Sequence, residues 1–173
     1  MANPLTLYVP VSQNPAIQKQ LPVLAAGFVQ SVKAGLDASG IVHYARLALI
    51  PNLSGQGIQA ICLITTFDKA MNPYLEFFWK NKSTRTAFAG IAAIALNPPN
   101  PPVGDSLTAF ENFINSNNLN QPKDLYQAYP QTVVQIQQAF KPKPPTKPKP
   151  PTKGPSKGAS KGGSKKGGSK KSR

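Results

Sequence analysis

The chain has 173 residues, a formal net charge of +14 and a single cysteine, Cys62. The charge is uneven: 12 of the 20 Lys+Arg and none of the 6 Asp+Glu fall in 141–173, which leaves 8 basic and 6 acidic residues in 1–140. A body near neutrality therefore carries a strongly basic appendage, and the high isoelectric point belongs to that appendage alone. One cysteine excludes a disulfide scaffold and a Cys-rich zinc site. No run reaches the ~18 apolar residues of a membrane helix, and the N-terminus lacks a basic region ahead of an apolar stretch. The expectation is a soluble, cytoplasmic protein with one domain at 1–140 and a tail at 141–173.

In chain order, Leu5-Thr-Leu-Tyr-Val-Pro-Val11 reads as a strand. Asn14 and Pro15 have the form of an N-cap followed by proline at the first helical position. Ile17, Leu21, Leu24, Phe28, Val32 and Leu36 then form one stripe of an amphipathic helix that closes at Ser39-Gly40. Pro22 interrupts that stripe and predicts a kink or a later start, since proline inside a helix costs about 3 kcal/mol. The run 41–50 is apolar at nearly every position, which predicts a central strand covered on both faces. A turn at 51–57 and a second apolar run at 58–67 complete an antiparallel hairpin. Helices follow from Met71, carrying Tyr74, Leu75, Phe78 and Trp79, and within 83–96. Asp105 and Ser106 are placed to cap another through Leu107, Phe110, Phe113 and Ile114. A short edge strand at 125–129 and a last helix at 132–140 end the body. The order predicts an α+β fold, a ferredoxin-like split βαβ sheet with additional C-terminal helices.

The segments His43-Tyr-Ala-Arg-Leu-Ala-Leu-Ile-Pro51, Ile61-Cys-Leu-Ile-Thr-Thr-Phe-Asp68, Pro73-Tyr-Leu-Glu-Phe-Phe78 and Tyr126-Gln-Ala-Tyr-Pro130 carry a resemblance. Together they resemble a group of bacterial α+β proteins with an "HFAR" strand, a strand ending in "NFDG", a helix with "YL" and a later "Y-x-x-YP". The resemblance spans most of 5–140 and implies a ferredoxin-like, dimeric α/β-barrel domain, hence a homodimer formed through the body. It also implies a link to haem proteins, which makes the alternative function a haem-linked oxidoreductase or a small-ligand-binding module. Where the group has Asp-Gly this chain has Asp68-Lys69, so the tight glycine turn is missing.

Candidate chemistry in the body is sparse. His43, the sole histidine, is open to two readings: a haem ligand or general base, and a structural hydrogen bond at a strand start. Arg46 is open to two as well, an anion site and an ion pair with Asp68 on the neighbouring strand. These two residues are the only candidates for catalysis, and His43 the only one for a cofactor. Cys62 lies in an apolar strand and reads as an inert core thiol. Tyr74, Phe77, Phe78 and Trp79 suit either the floor of a ligand cavity or ordinary packing on a sheet. No nucleophile elbow, phosphate loop or metal-ligand spacing occurs.

The tail says more. Residues 141–152 are two copies of Lys-Pro-Lys-Pro-Pro-Thr, followed by lysine-led Gly/Ser units, and no apolar residue larger than alanine or proline follows Phe140. Such a segment cannot offset its ordering entropy and is expected to be disordered. Its first half is stiffened by proline. The basic set is Lys141, Lys143, Lys147, Lys149, Lys153, Lys157, Lys161, Lys165, Lys166, Lys170, Lys171 and Arg173. Lacking aromatics and a groove-reading element, it offers backbone attraction with counterion release. The tail resembles those of linker histones and bacterial histone-like proteins, which implies binding of nucleic acid or another polyanion without sequence specificity. An anionic membrane surface is the competing partner.

Overall fold

The computed structural model of the chain describes residues 2–120 and 125–142. The chain divides into two units, Met1–Lys141 and Pro142–Arg173, and the described secondary structure belongs to the first. The basic residues from Lys143 to Arg173 lie outside the described residues.

The elements are β1 (Asn3–Pro10), α1 (Pro15–Ser39), β2 (Val42–Pro51), β3 (Ile58–Phe67), α2 (Met71–Lys80), α3 (Lys82–Ala93), α4 (Leu107–Asn117) and α5 (Val133–Ala139). Local chemistry sets their ends. The Asn14 side chain accepts from Ala16 N at the start of α1, and Gly40 closes the helix at φ 59°, a left-handed conformation open to glycine at little cost. Asn81, Ser106 and Thr132 cap α3, α4 and α5 in the same way, the last with Gln135 in a capping box. The late start expected at Pro22 does not occur, and α1 runs through it as one helix. Pro22 lies on the exposed side, where water can satisfy the carbonyl that loses its donor, while Leu21 beside it is fully buried.

The sheet has the order β1-β3-β2, with β3 antiparallel to both neighbours, so β1 and β2 run in the same direction. Its rows are in register: Leu5, Thr65 and Ala45; Leu7, Leu63 and Leu47; Val9, Ile61 and Leu49. These face a single core shared with the helices. Phe67 stacks on Tyr74 with ring centroids 3.8 Å apart, and Phe88 meets both Phe28 and Phe110 edge to face. Helix α1 crosses α3 closely at Gly35, where an added Cβ would stand 2.7 Å from the Thr84 hydroxyl.

Two expectations are corrected. β2 is an edge strand, not a central one. Nor do residues 125–129 form a strand: none of them pairs, and none is buried. Tyr126 and Tyr129 favour strands by residue type, but a strand needs a face to bury, and this segment has none. The outer edge of β1 is met instead by two single bridges, Val11 with Ala95 and Leu7 with Asn118.

The turn after β3 places Lys69 at φ 74°, a left-handed conformation that favours glycine. A left-handed side-chain residue costs about 1–2 kcal/mol, partly offset by the greater unfolded freedom of glycine. Lys69→Gly is therefore expected to stabilise the fold by about 0.5–1 kcal/mol and to raise the melting temperature by a few degrees in a thermal scan.

Candidate functional site

The polar centre of the body forms where β2 begins and β3 ends. Val42 pairs with Phe67 and Tyr44 with Thr66, so His43 is the extra residue of a β-bulge. Bulges re-aim side chains, and this one directs His43 at the residue just past β3. His43 Nε2 lies 3.1 Å from Asp68 Oδ1, with the two side chains only 15% and 9% exposed. The other carboxylate oxygen, Oδ2, accepts from Val133 N at 2.8 Å, and Asp68 N donates to Ile41 O at 2.7 Å. One aspartate thus ties together the start of β2, the end of β3 and the start of α5. The tie matters because α5 has no buried residue of its own. A carboxylate can only accept, so His43 Nε2 is the donor of this hydrogen bond.

A cleft of about 180 Å³ opens beside this pair, lined by Leu36, Gly40, Val42, His43, Tyr44 and Val133 among others. It is smaller than the ~300–1,000 Å³ typical of small-molecule sites. The residues here do not fit a haem: the cleft is too small for the macrocycle, and Nε2 of His43 is held by Asp68. Nor does the helix aromatic stripe floor a cavity. Tyr74 and Phe78 pack against the sheet and leave a void of about 20 Å³, room for roughly one water. Burial pushes the Tyr74 hydroxyl up to about 12, against a smaller opposing effect of its hydrogen bond to Thr65. It stays protonated and structural.

Arg46 and Asp68 do not pair, contrary to the ion-pair expectation. Arg46 stands opposite Ile64 on the other face of the sheet and is exposed, while Asp68 is engaged by His43 and Val133. Cys62 is not a core thiol either: it is half-buried on that same second face, and burial raises its pKa. Among the described residues, no group of three or more His, Cys, Asp or Glu is placed to hold a metal ion, and no helix is long and apolar enough to cross a membrane.

The second face of the sheet is the largest feature that the sequence did not announce. Its rows are Pro4, Thr66 and Tyr44; Thr6, Ile64 and Arg46; Tyr8, Cys62 and Ala48; Pro10, Ala60 and Ile50. Arg46 is the one charged side chain among them. Thr6, Thr66, Tyr8 and Tyr44 are polar, but Ile64, Ala48, Ala60 and Ile50 make this face more apolar than the water-facing side of an antiparallel sheet normally is. A hairpin centred on Gly55 sets position 43 beside 67, so the sequence brings His43 within one residue of Asp68, and the bulge completes the contact.

Compared with known proteins, the chain has no significant match to a family model, a curated protein or a solved structure.

Proposed function

We propose that this chain is an interaction protein: a ferredoxin-like α+β body that pairs face to face with a second copy and carries basic tails onto nucleic acid or another polyanion without sequence preference. The observation that carries this reading is the segregation of charge. Of the 20 basic residues, 12 follow Phe140, with no acidic residue among them, and the body keeps a nearly balanced set. A tail of this kind binds phosphate backbones through counterion release.

The strand order β1-β3-β2, with α1 linking two strands of like direction, supports the ferredoxin-like half of the reading. The fourth strand of that arrangement would lie beside β1, where Ala95 and Asn118 contribute only single bridges. The second sheet face supports pairing. β2 has the two-sided apolar pattern of a covered strand, yet the helices cover one side only. Eight rows at ~3.3 Å by three strands at ~4.8 Å give a projected area of roughly 400 Å² per copy. Side-chain relief raises the accessible area above that figure, so two faces come near the ~1,000 Å² at which specific interfaces begin. The pairing is therefore weak and concentration-dependent, and it would set two tails on one polyanion with a gain in avidity.

Sedimentation velocity of the full chain over a range of micromolar concentrations tests the pairing. The expected result is a monomer–dimer equilibrium that Ile64→Lys shifts fully to monomer, with its thermal unfolding still cooperative. A wild-type protein that stays monomeric throughout would remove the paired body. Loss of binding to duplex DNA on truncation to 1–140 tests the tail.

A further inference from the structure

We infer that residues 125–140 are a stacking platform for unpaired bases, so that the polyanion is a single-stranded nucleic acid. This inference rests on the polyanion reading above and narrows it. The tail itself has charge and no aromatic group. The described residues just before it supply what it lacks: Tyr126, Tyr129 and Phe140 are 89%, 78% and 85% exposed.

That exposure is not the habit of this fold. Phe28, Phe67, Tyr74, Phe78, Phe88, Phe110 and Phe113 are all buried in the core. Three of the four aromatics more than half exposed among the described residues gather within fifteen positions of one another, the fourth being Tyr44 on β2, and they sit on a stretch with no buried residue between 125 and 142. The same stretch has no acidic residue, and its last aromatic is followed directly by Lys141. Polar contacts hold it to the body: Ala2 N donates to Gln127 Oε1, and Val133 N donates to Asp68 Oδ2. The rings are thus held on an anchored backbone rather than on a free end.

Aromatic faces and cations set along one path are the chemistry of single-strand binding. Each base has a π-face to stack, and the backbone follows the charge. A duplex hides those faces inside its own stack and gains only the charge contribution. A lipid surface would also accept exposed rings beside a polybasic tail. Helix α5 also exposes Val134 and Ile136, but a helix of only seven residues, three of them glutamine, gives little apolar depth for insertion.

The test compares full-length protein with the Tyr126→Ala/Tyr129→Ala/Phe140→Ala variant. The probes are labelled single strands of DNA and of RNA of about 20 nucleotides, a duplex of the same sequence, and vesicles of phosphatidylserine in phosphatidylcholine. The three substituted side chains are exposed, so the variant is expected to melt like the wild type. The expected result is a loss of about tenfold or more on one or both single strands, with duplex affinity held within about twofold and the salt slope unchanged. Comparison of the DNA and RNA strands shows which sugar the site prefers. An equal loss on duplex and single strand, no loss on either, or a loss confined to vesicles would overturn the stacking platform and leave the charged tail standing. Wild-type protein that binds no nucleic acid at all would overturn the polyanion reading as well.

Discussion

Full-length protein titrated onto a fluorescent DNA duplex is expected to lose roughly three to four decades of affinity between 50 and 200 mM salt. The magnitude follows from charge. If about 6 to 8 of the 12 tail charges meet phosphates at once, the log–log slope is about −5 to −7. Random and defined sequences should bind alike, because the tail has no side chain placed to read base edges. Protein 1–140 should show no binding in this range, and replacing the lysines from Lys153 to Lys171 with glutamine should approach the same result. His43→Ala should leave the slope untouched, since that ring faces Asp68. A slope near zero, or equal binding by the full and truncated chains, would return the question to the body.

Asp68→Ala is expected to be the most damaging single change at the polar centre. It strips the partner from His43 Nε2 and the acceptor from Val133 N, both at a mostly buried junction. Unpaired buried polar groups cost about 1–3 kcal/mol each, so a loss of roughly 2–4 kcal/mol follows, near 10 °C in melting temperature. His43→Ala alone should cost less, and the double variant less than the sum, because the two residues share one contact. Hydrogen exchange should show α5 opening first in Asp68→Ala, as no buried side chain holds that helix. A cost below about 0.5 kcal/mol would show that α5 is held by something other than this carboxylate.

Much of the architecture was legible because local chemistry agreed with the final packing. Asn14-Pro15 and Ser39-Gly40 bracket α1 as read, β3 runs over the expected residues, and Ser106 and Thr132 cap the helices they were expected to begin. The misreadings share a cause. The apolar run in β2 was taken to mean a strand central to the sheet, when the pattern reports only that both faces avoid water. It is silent on which neighbours do the covering. At 125–129, strand-favouring tyrosines competed with the absence of any surface to pack on, and the latter prevailed. The apolar strand around Cys62 predicts a core thiol, but strand alternation puts Cys62 on the second face, where it is only half-buried. The site was half legible: His43 stood out as a lone histidine, while its partner depended on a bulge that shifts the register by one residue.

The two ends of β2 bear on how a sheet with apolar residues on both faces stays free of runaway assembly. An unpaired strand edge is a template for endless strand-to-strand growth. Irregularities interrupt β2 at Val42/Tyr44 and again at Ile50/Pro51, Arg46 adds a charge between them, and Pro51 offers no backbone donor. On the opposite side, Leu96 N and Leu119 N donate to Pro10 O and Thr6 O, occupying acceptors along β1. Both margins are thus poor templates for a fibril, and the proposed pairing through the flat of the sheet, being two-fold and closed, would add no open end for growth.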